Sequence, residues 1–373
     1  MVILKRLVIL VSLAVIAISP AVAQEIETDT RPGIAPDIRD DATNLKLQRG
    51  DFVIVPIPIS NPTLDTGLVL GGGYFYAQTE AQKKAQPASM TGGGGLYTSN
   101  DSRALVLAQQ NYWNRNKWRF TGAIGAADLR LSLLAPDDTS SGQSVDWRIE
   151  GEFLYAKLSA KFAGNWYGGL FTRYIDADQS IETDTSTSDF DEAVNIRSVG
   201  IGALVEFDSR DMPINTYIGR YFKVDVLAND EAIGSDQTYQ SYSLALRSYH
   251  ELTDSVVLAW ELEGCTRAGR SPLWDACRIG LRGFAATDYL GKGSGSLQAE
   301  ARWRISKRWG VVGFGGAGFV GSSFSGVREN EAIPSVGVGL RFSVLPSKRV
   351  NIRLDFAWST DSDAVHLSVG EAF

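Results

Sequence analysis

Histidine is almost missing from this sequence, with only His250 and His366 in 373 residues. A metal centre built on imidazole has no ligand set to draw on, and no cofactor is expected. Cysteine is as scarce: Cys265 and Cys277 are the only two, which excludes a disulfide-dense scaffold. Basic blocks are lacking as well. The 36 lysines and arginines are dispersed among 43 acidic residues, which argues against nucleic acid as a partner. Beyond residue 23 no apolar run approaches the ~20 residues of a transmembrane helix. The hydrolase signature G-x-S-x-G is absent too.

What is present begins with an export signal. Lys5 and Arg6 precede an apolar run over 7–18, and Ala21-Val22-Ala23 offers a small-x-small cleavage site before Gln24. Residues 1–23 therefore read as a signal peptide. Residues 24–50 are polar and aperiodic, the pattern of a flexible periplasmic leader with little room for a folded periplasmic domain.

From residue 51 to 373 the dominant pattern is period 2. Val350, Ile352, Leu354, Phe356 and Trp358 share one face, opposite Asn351, Arg353, Asp355 and Ala357. Leu297, Ala299, Ala301, Trp303 and Ile305 likewise oppose Gln298, Glu300, Arg302 and Arg304. Four charged or amide groups on one strand face are too costly for a dry sandwich core, whereas a wet lumen accepts them. The pattern predicts an all-β, antiparallel transmembrane barrel with lipid around it. Fifteen strand-length runs recur from 66–77 to 364–373, and the proline-bearing run 52–59 makes sixteen. Even parity favours sixteen, with fourteen as the alternative. Pro56 and Pro58 confine 52–59 to an edge. Sixteen strands with both chain ends periplasmic put the connection 78–88 on the side where turns should be short. Glycine, at 38 residues, suits tight turns, and aromatics make up 10%. Tyr74, Tyr76, Tyr97, Tyr112, Trp113, Trp118, Trp166, Tyr167, Trp303, Trp309 and Trp358 sit near predicted strand ends, as interfacial belts would.

Three stretches carry a family resemblance. Leu281-Arg282-Gly283-Phe284, with five strands after it, resembles the Val-Arg-Gly-Phe/Tyr tip of the sixth extracellular loop in the BamA/TamA surface-antigen superfamily. Asp208-Ser209-Arg210-Asp211, with Pro213 and Gly219, resembles that superfamily's turn between two mid-barrel strands. The third stretch is 298–302, together with 309–318 and the terminal Phe373, which resembles the closing strands. The likeness covers about 61–373. It implies a bacterial outer-membrane barrel, not an enzyme, that helps insert or move protein, or lipid, across a weak seam between first and last strands. Client proteins or other barrel subunits are the implied partners. A passive channel is the alternative, and an outer-membrane lipid hydrolase using His366 and Ser368 is the third reading.

Two departures from the superfamily bear on the site. Its Phe-x-Asp-x-Gly reads Phe314-Gly315-Gly316-Ala317-Gly318 here, so the aspartate that anchors the loop arginine is Gly316. Its periplasmic repeats are missing from 24–50. Arg282, if folded into the lumen, then needs a carboxylate from elsewhere. Glu300 is the first candidate, with Glu261, Glu263 and Asp355 next, and Phe284 is expected beside the glycines of 313–318. The literal G-x-G-x-x-G over 313–318 has no helix or spaced acid after it, so it reads as small residues that let a loop approach the wall. Cys265 and Cys277, both expected in the loop before Arg282, read as a disulfide rather than a metal site. Phe373, on one face with Val365, Leu367 and Val369, is expected to be an outward-facing targeting signal.

Overall fold

The computed structural model describes residues 50–134, 144–182, 193–213, 215–322, 331–346, 349–360 and 362–373. The expected signal peptide, and the expected leader up to residue 49, lie outside these. Among the described residues the strands are β1 (Asp51–Asn61), β2 (Asp65–Phe75), β3 (Met90–Thr98), β4 (Arg103–Trp113), β5 (Trp118–Leu134) and β6 (Ser144–Ala163). There follow β7 (Trp166–Glu182), β8 (Val194–Asp208), β9 (Gly219–Asn229), β10 (Tyr239–Thr253), β11 (Val256–Gly269), β12 (Cys277–Arg278) and β13 (Leu290–Gly291). The last are β14 (Gly293–Arg304), β15 (Trp309–Gly321), β16 (Ile333–Leu345), β17 (Val350–Ser359) and β18 (Asp363–Val369). Sixteen of them close into one antiparallel barrel, and β12 and β13 form a separate two-stranded sheet within the long loop 270–292.

Alternation sets which side chains meet lipid. On β14, Leu297 is 52% and Trp303 54% exposed, while Gln298, Glu300 and Arg302 are buried toward the lumen. A soluble protein would cover that apolar exterior; a bilayer makes it favourable. The lumen beside β1–β7 is packed rather than hollow. Ile57, Ile59, Val69, Leu129, Ile149 and Trp147 form one apolar cluster with Trp274 of the long loop.

Several elements differ from the sequence reading. Strands β5, β6 and β7 run to 17, 20 and 17 residues, beyond the ~9–11 needed to cross a bilayer, so they project past it. The connection 78–88 carries a short helix, α1 (Glu80–Lys83), closed by a capping box between Thr79 and Gln82. Tyr112 and Tyr167 are not belt residues. Both are buried, and the guanidinium of Arg119 lies 3.7 Å from the centre of the Tyr167 ring. Cys265 lies on β11, not in the loop.

The largest difference is at the chain's last residues. β18 ends at Val369, where Gly370 takes a φ of 93° and turns the chain inward. Phe373 is buried against Tyr249 and Ala259, not exposed beside Val365. Arg302 and Arg341 hold the turned-in residues there, through the Phe373 main-chain oxygen and the Glu371 carboxylate.

Where β1 meets β18 the ladder is short. One registered pair, Ser60 with Leu367, joins them, whereas β1 pairs with β2 along its whole length from Asp51 to Asn61. Proline has no N–H, so Pro56 and Pro58 leave the β2 ladder intact only if their nitrogens point toward β18. That edge of β1 therefore lacks two of its donors.

Candidate functional site

Loop 270–292 leaves β11, enters the lumen and returns to β14. Its outer part is tied to the wall by Asp275. That carboxylate accepts from Arg173 Nη1 at 3.0 Å and Nη2 at 2.5 Å, and from Arg267 Nη2 at 3.2 Å. Burial alone would raise its pKa, but Arg173 and Arg267 outweigh burial and hold it down at about 2. Cys265 and Cys277 form a disulfide at the same level, joining β11 to β12. A closure of this length contributes about 3 kcal/mol in chain-entropy terms. No maleimide-reactive thiol is therefore expected in non-reduced, unfolded protein, and two should appear after reduction. Ala286 N donates to Thr63 Oγ1 at 2.8 Å, and Thr287 Oγ1 to Ser132 O at 2.6 Å, which fasten the returning limb to the β1–β2 turn and to β5.

At the tip, Arg282 is 7% exposed and forks between two carboxylates. Its Nη2 donates to Glu300 Oε2 at 2.8 Å and its Nη1 to Asp355 Oδ2 at 2.8 Å. The guanidinium lies 3.4 Å from the Phe314 ring centre, so it is held on a third side by a π face. Gly283 takes a φ of 115°, which favours glycine, and a Cβ there would press on the Trp358 backbone at 3.3–3.4 Å. Ser335 Oγ donates to Arg282 O and Ser362 Oγ to Gly283 O, which fix the backbone.

Both carboxylates are shared. Glu300 Oε1 accepts from Arg302 Nε at 2.6 Å, and Asp355 Oδ1 accepts from Arg341 Nη1 at 2.5 Å. Arg341 Nε in turn donates to Glu371 at 2.7 Å, and Arg302 Nε lies 4.0 Å from the same carboxylate. Three arginines and three carboxylates thus alternate around a ring: Arg282, Glu300, Arg302, Glu371, Arg341 and Asp355. Arg353, 3.6 Å from Asp355, stands beside it. Gly339 faces Asp355 across the ladder, and any side chain there would occupy the carboxylate's place.

The other sequence candidates fall elsewhere. Leu281 precedes the fork, and Phe284 packs edge-on against Tyr289 at 4.9 Å, not on the glycines of β15. Gly318 does admit the loop, since a Cβ there would collide with Ile279. Glu261 and Glu263 do not reach Arg282. Their partner is Arg247, at 2.5 and 3.5 Å. The turn between β8 and β9 is closed by Asp208, which takes a bidentate pair from Arg210 at 2.9 Å. Asp211 accepts from Arg349 at 2.5 Å, and Gly219 takes a φ of 125°. Pro213 lies within this turn, and Thr216 O accepts from Arg302 at 3.3 Å. No hydrogen bond joins His366 to Ser368 among the described residues; opposite His366 stands Asp355, already committed to arginines.

Sequence reasoning missed Arg341, Glu371, Phe314 and Asp275. Alternation over β16 puts Arg341 on the inner face, and that signal was available. Glu371 had none, because its role begins after the strand ends.

No family model and no curated protein matches this sequence. Solved structures do. BamA from Haemophilus ducreyi lacking POTRA domains 1–3 superposes with a TM-score of 0.59 at 12% identity, over 86% of this chain and 71% of that one. CdiB from Acinetobacter baumannii gives 0.56 at 12%, over 87% and 60%. CdiB from Escherichia coli gives 0.54 at 11%, over 87% and 68%. The chain therefore spans 60% of the length of one of these proteins and 68–71% of the other two. The class defined is a closed, sixteen-stranded antiparallel barrel with the loop folded into its lumen. Its fold is similar to that of the BamA and CdiB barrels.

Proposed function

We propose that this barrel inserts or moves protein at the outer membrane, with lipid as the second class of cargo, by offering the short seam between β1 and β18. The observation that carries this reading is the single registered pair, Ser60 with Leu367, at a junction whose neighbours pair over whole strands. Unpaired backbone groups at such an edge template an added strand. Pro56 and Pro58 keep the edge open by withholding donors, and the inward turn at Gly370 shortens β18 from the other side. A loop that occupies the lumen favours this reading over a steadily open channel. Client chains and other barrel subunits are the partners it calls for.

The test locks the seam. Ser60→Cys with Leu367→Cys, oxidised in proteoliposomes, should abolish assisted folding of an unfolded eight-stranded client barrel, and reductant should restore it. Wild-type protein taken through the same redox steps controls for the native disulfide. Unchanged assistance by the locked barrel would overturn the seam as the route of insertion, and steady conductance without client in planar bilayers would overturn the proposal in favour of a channel.

A further inference from the structure

We infer that the lumen contains a receptor site for an acidic-x-aromatic peptide segment, filled here by the chain's own residues 371–373, and that filling it is coupled to docking of Arg282. The site is built from five strands, β10, β11, β14, β16 and β17. Glu371 accepts from Arg341 Nε at 2.7 Å and from Asn351 Nδ2 at 2.8 Å. The main-chain oxygen of Phe373 accepts from Arg302 Nη2 at 2.8 Å. The Phe373 ring lies 6.4 Å from that of Tyr249 and 5.6 Å from the Arg302 guanidinium, and Ala259 completes the pocket, with Ala372 of the segment packed against it. Each group of the segment that carries recognition therefore has a partner of its own.

Charge explains why the segment is drawn inside. Arg282, Arg302, Arg341 and Arg353 surround only two strand carboxylates, Glu300 and Asp355. An excess of buried positive charge is costly, and Glu371 reduces it. An emptied site would seek another anion.

Coupling follows from the shared carboxylates. Glu300 holds Arg282 of the loop and Arg302 of the segment's site, while Asp355 holds Arg282 and Arg341. Loss of Glu371 leaves Arg341 and Arg302 to compete with Arg282 for the same oxygens. The inference deepens the seam reading, because a filled site keeps 371–373 off β1. Continued in the register of Ser60 and Leu367, Phe373 would instead lie opposite Ile54, which is 59% exposed on the lipid face.

Cysteine pairs in the full-length protein report the two positions of the segment. Ala259→Cys with Ala372→Cys reads the lumen, and Val55→Cys with Ala372→Cys reads the seam. The lumen pair is expected to cross-link in roughly tenfold excess, the ratio that about 1.4 kcal/mol sustains. Adding Glu371→Gln should shift yield to the seam pair and speed protease cleavage in loop 270–292; Phe373→Ala should act in the same direction. An acetylated Gly-Glu-Ala-Phe peptide should restore loop protection to the Glu371→Gln protein, and its Gly-Gln-Ala-Phe counterpart should not. A dominant seam cross-link in the otherwise native chain, ratios unmoved by both variants, or equal rescue by the two peptides each overturns the inference. Client folding on the same variants separates the two proposals. Cross-links that shift while assistance stays constant remove the seam as the route of insertion and leave the site.

Discussion

Replacing Arg282 with alanine is expected to cut the yield of folded barrel several-fold and to open loop 270–292 to extracellular protease. The side chains of Glu300 and Asp355 are wholly buried; once the fork is gone Glu300 keeps only Arg302 in close contact, and Asp355 keeps Arg341 with Arg353 at 3.6 Å. Removing one member of a buried, hydrogen-bonded charge cluster costs about 3–5 kcal/mol, most of it from charge left without its partner. The Phe314 face is vacated as well. Arg282→Lys should recover only part of the loss, because an ammonium cannot span two carboxylates with a planar fork. Glu300→Ala should cause a comparable defect. The double variant Arg282→Ala with Glu300→Ala should be much less than additive, since both changes disrupt one cluster. The check is the heat-modifiable band on gels together with protease mapping. Normal assembly with a protected loop would show the fork to be incidental.

Asp275→Asn is the second large effect, expected to loosen the outer half of the same loop by roughly 3 kcal/mol while the tip stays docked. The substitution keeps the shape and leaves Arg173 and Arg267 facing a neutral amide. It also predicts a pH dependence whose sign is fixed. Asp275 binds its proton only near pH 2 in the folded protein, below the ordinary 3.8, so the unfolded loop takes up the proton first. The stabilisation is complete above about pH 4 and is lost as pH falls toward about 2, a change of about 2 kcal/mol. Cleavage of loop 270–292 by an acid protease should therefore rise steeply between pH 4 and 2 in the wild type. In Asp275→Asn it should already be fast at pH 4 and change little. A flat wild-type profile would sink the assignment.

Much of this molecule was written in local pattern. Alternation along 297–305 and 350–358 decides which side chains face lipid, because successive residues on a strand point oppositely whatever the rest of the chain does. The barrel class, the strand count and the inward position of Glu300 and Asp355 all follow from that periodicity. The pairing of Arg282 with Glu300 was also within reach, since a buried guanidinium needs a carboxylate and few inner faces offer one.

What pattern could not supply was distance between segments far apart in sequence. Asp355 joins the fork because barrel closure brings β17 across from loop 270–292, a contact spanning 73 residues. Glu261 has the same local pattern as Glu300, yet Arg247 on the neighbouring strand claims it first. Phe373 looked like the end of an outward face; the turn at Gly370 and the unbalanced arginines inside the barrel reversed it. Local sequence determines the direction of a side chain while the strand lasts. Beyond the strand, only the assembled charge of the lumen determines where the chain goes.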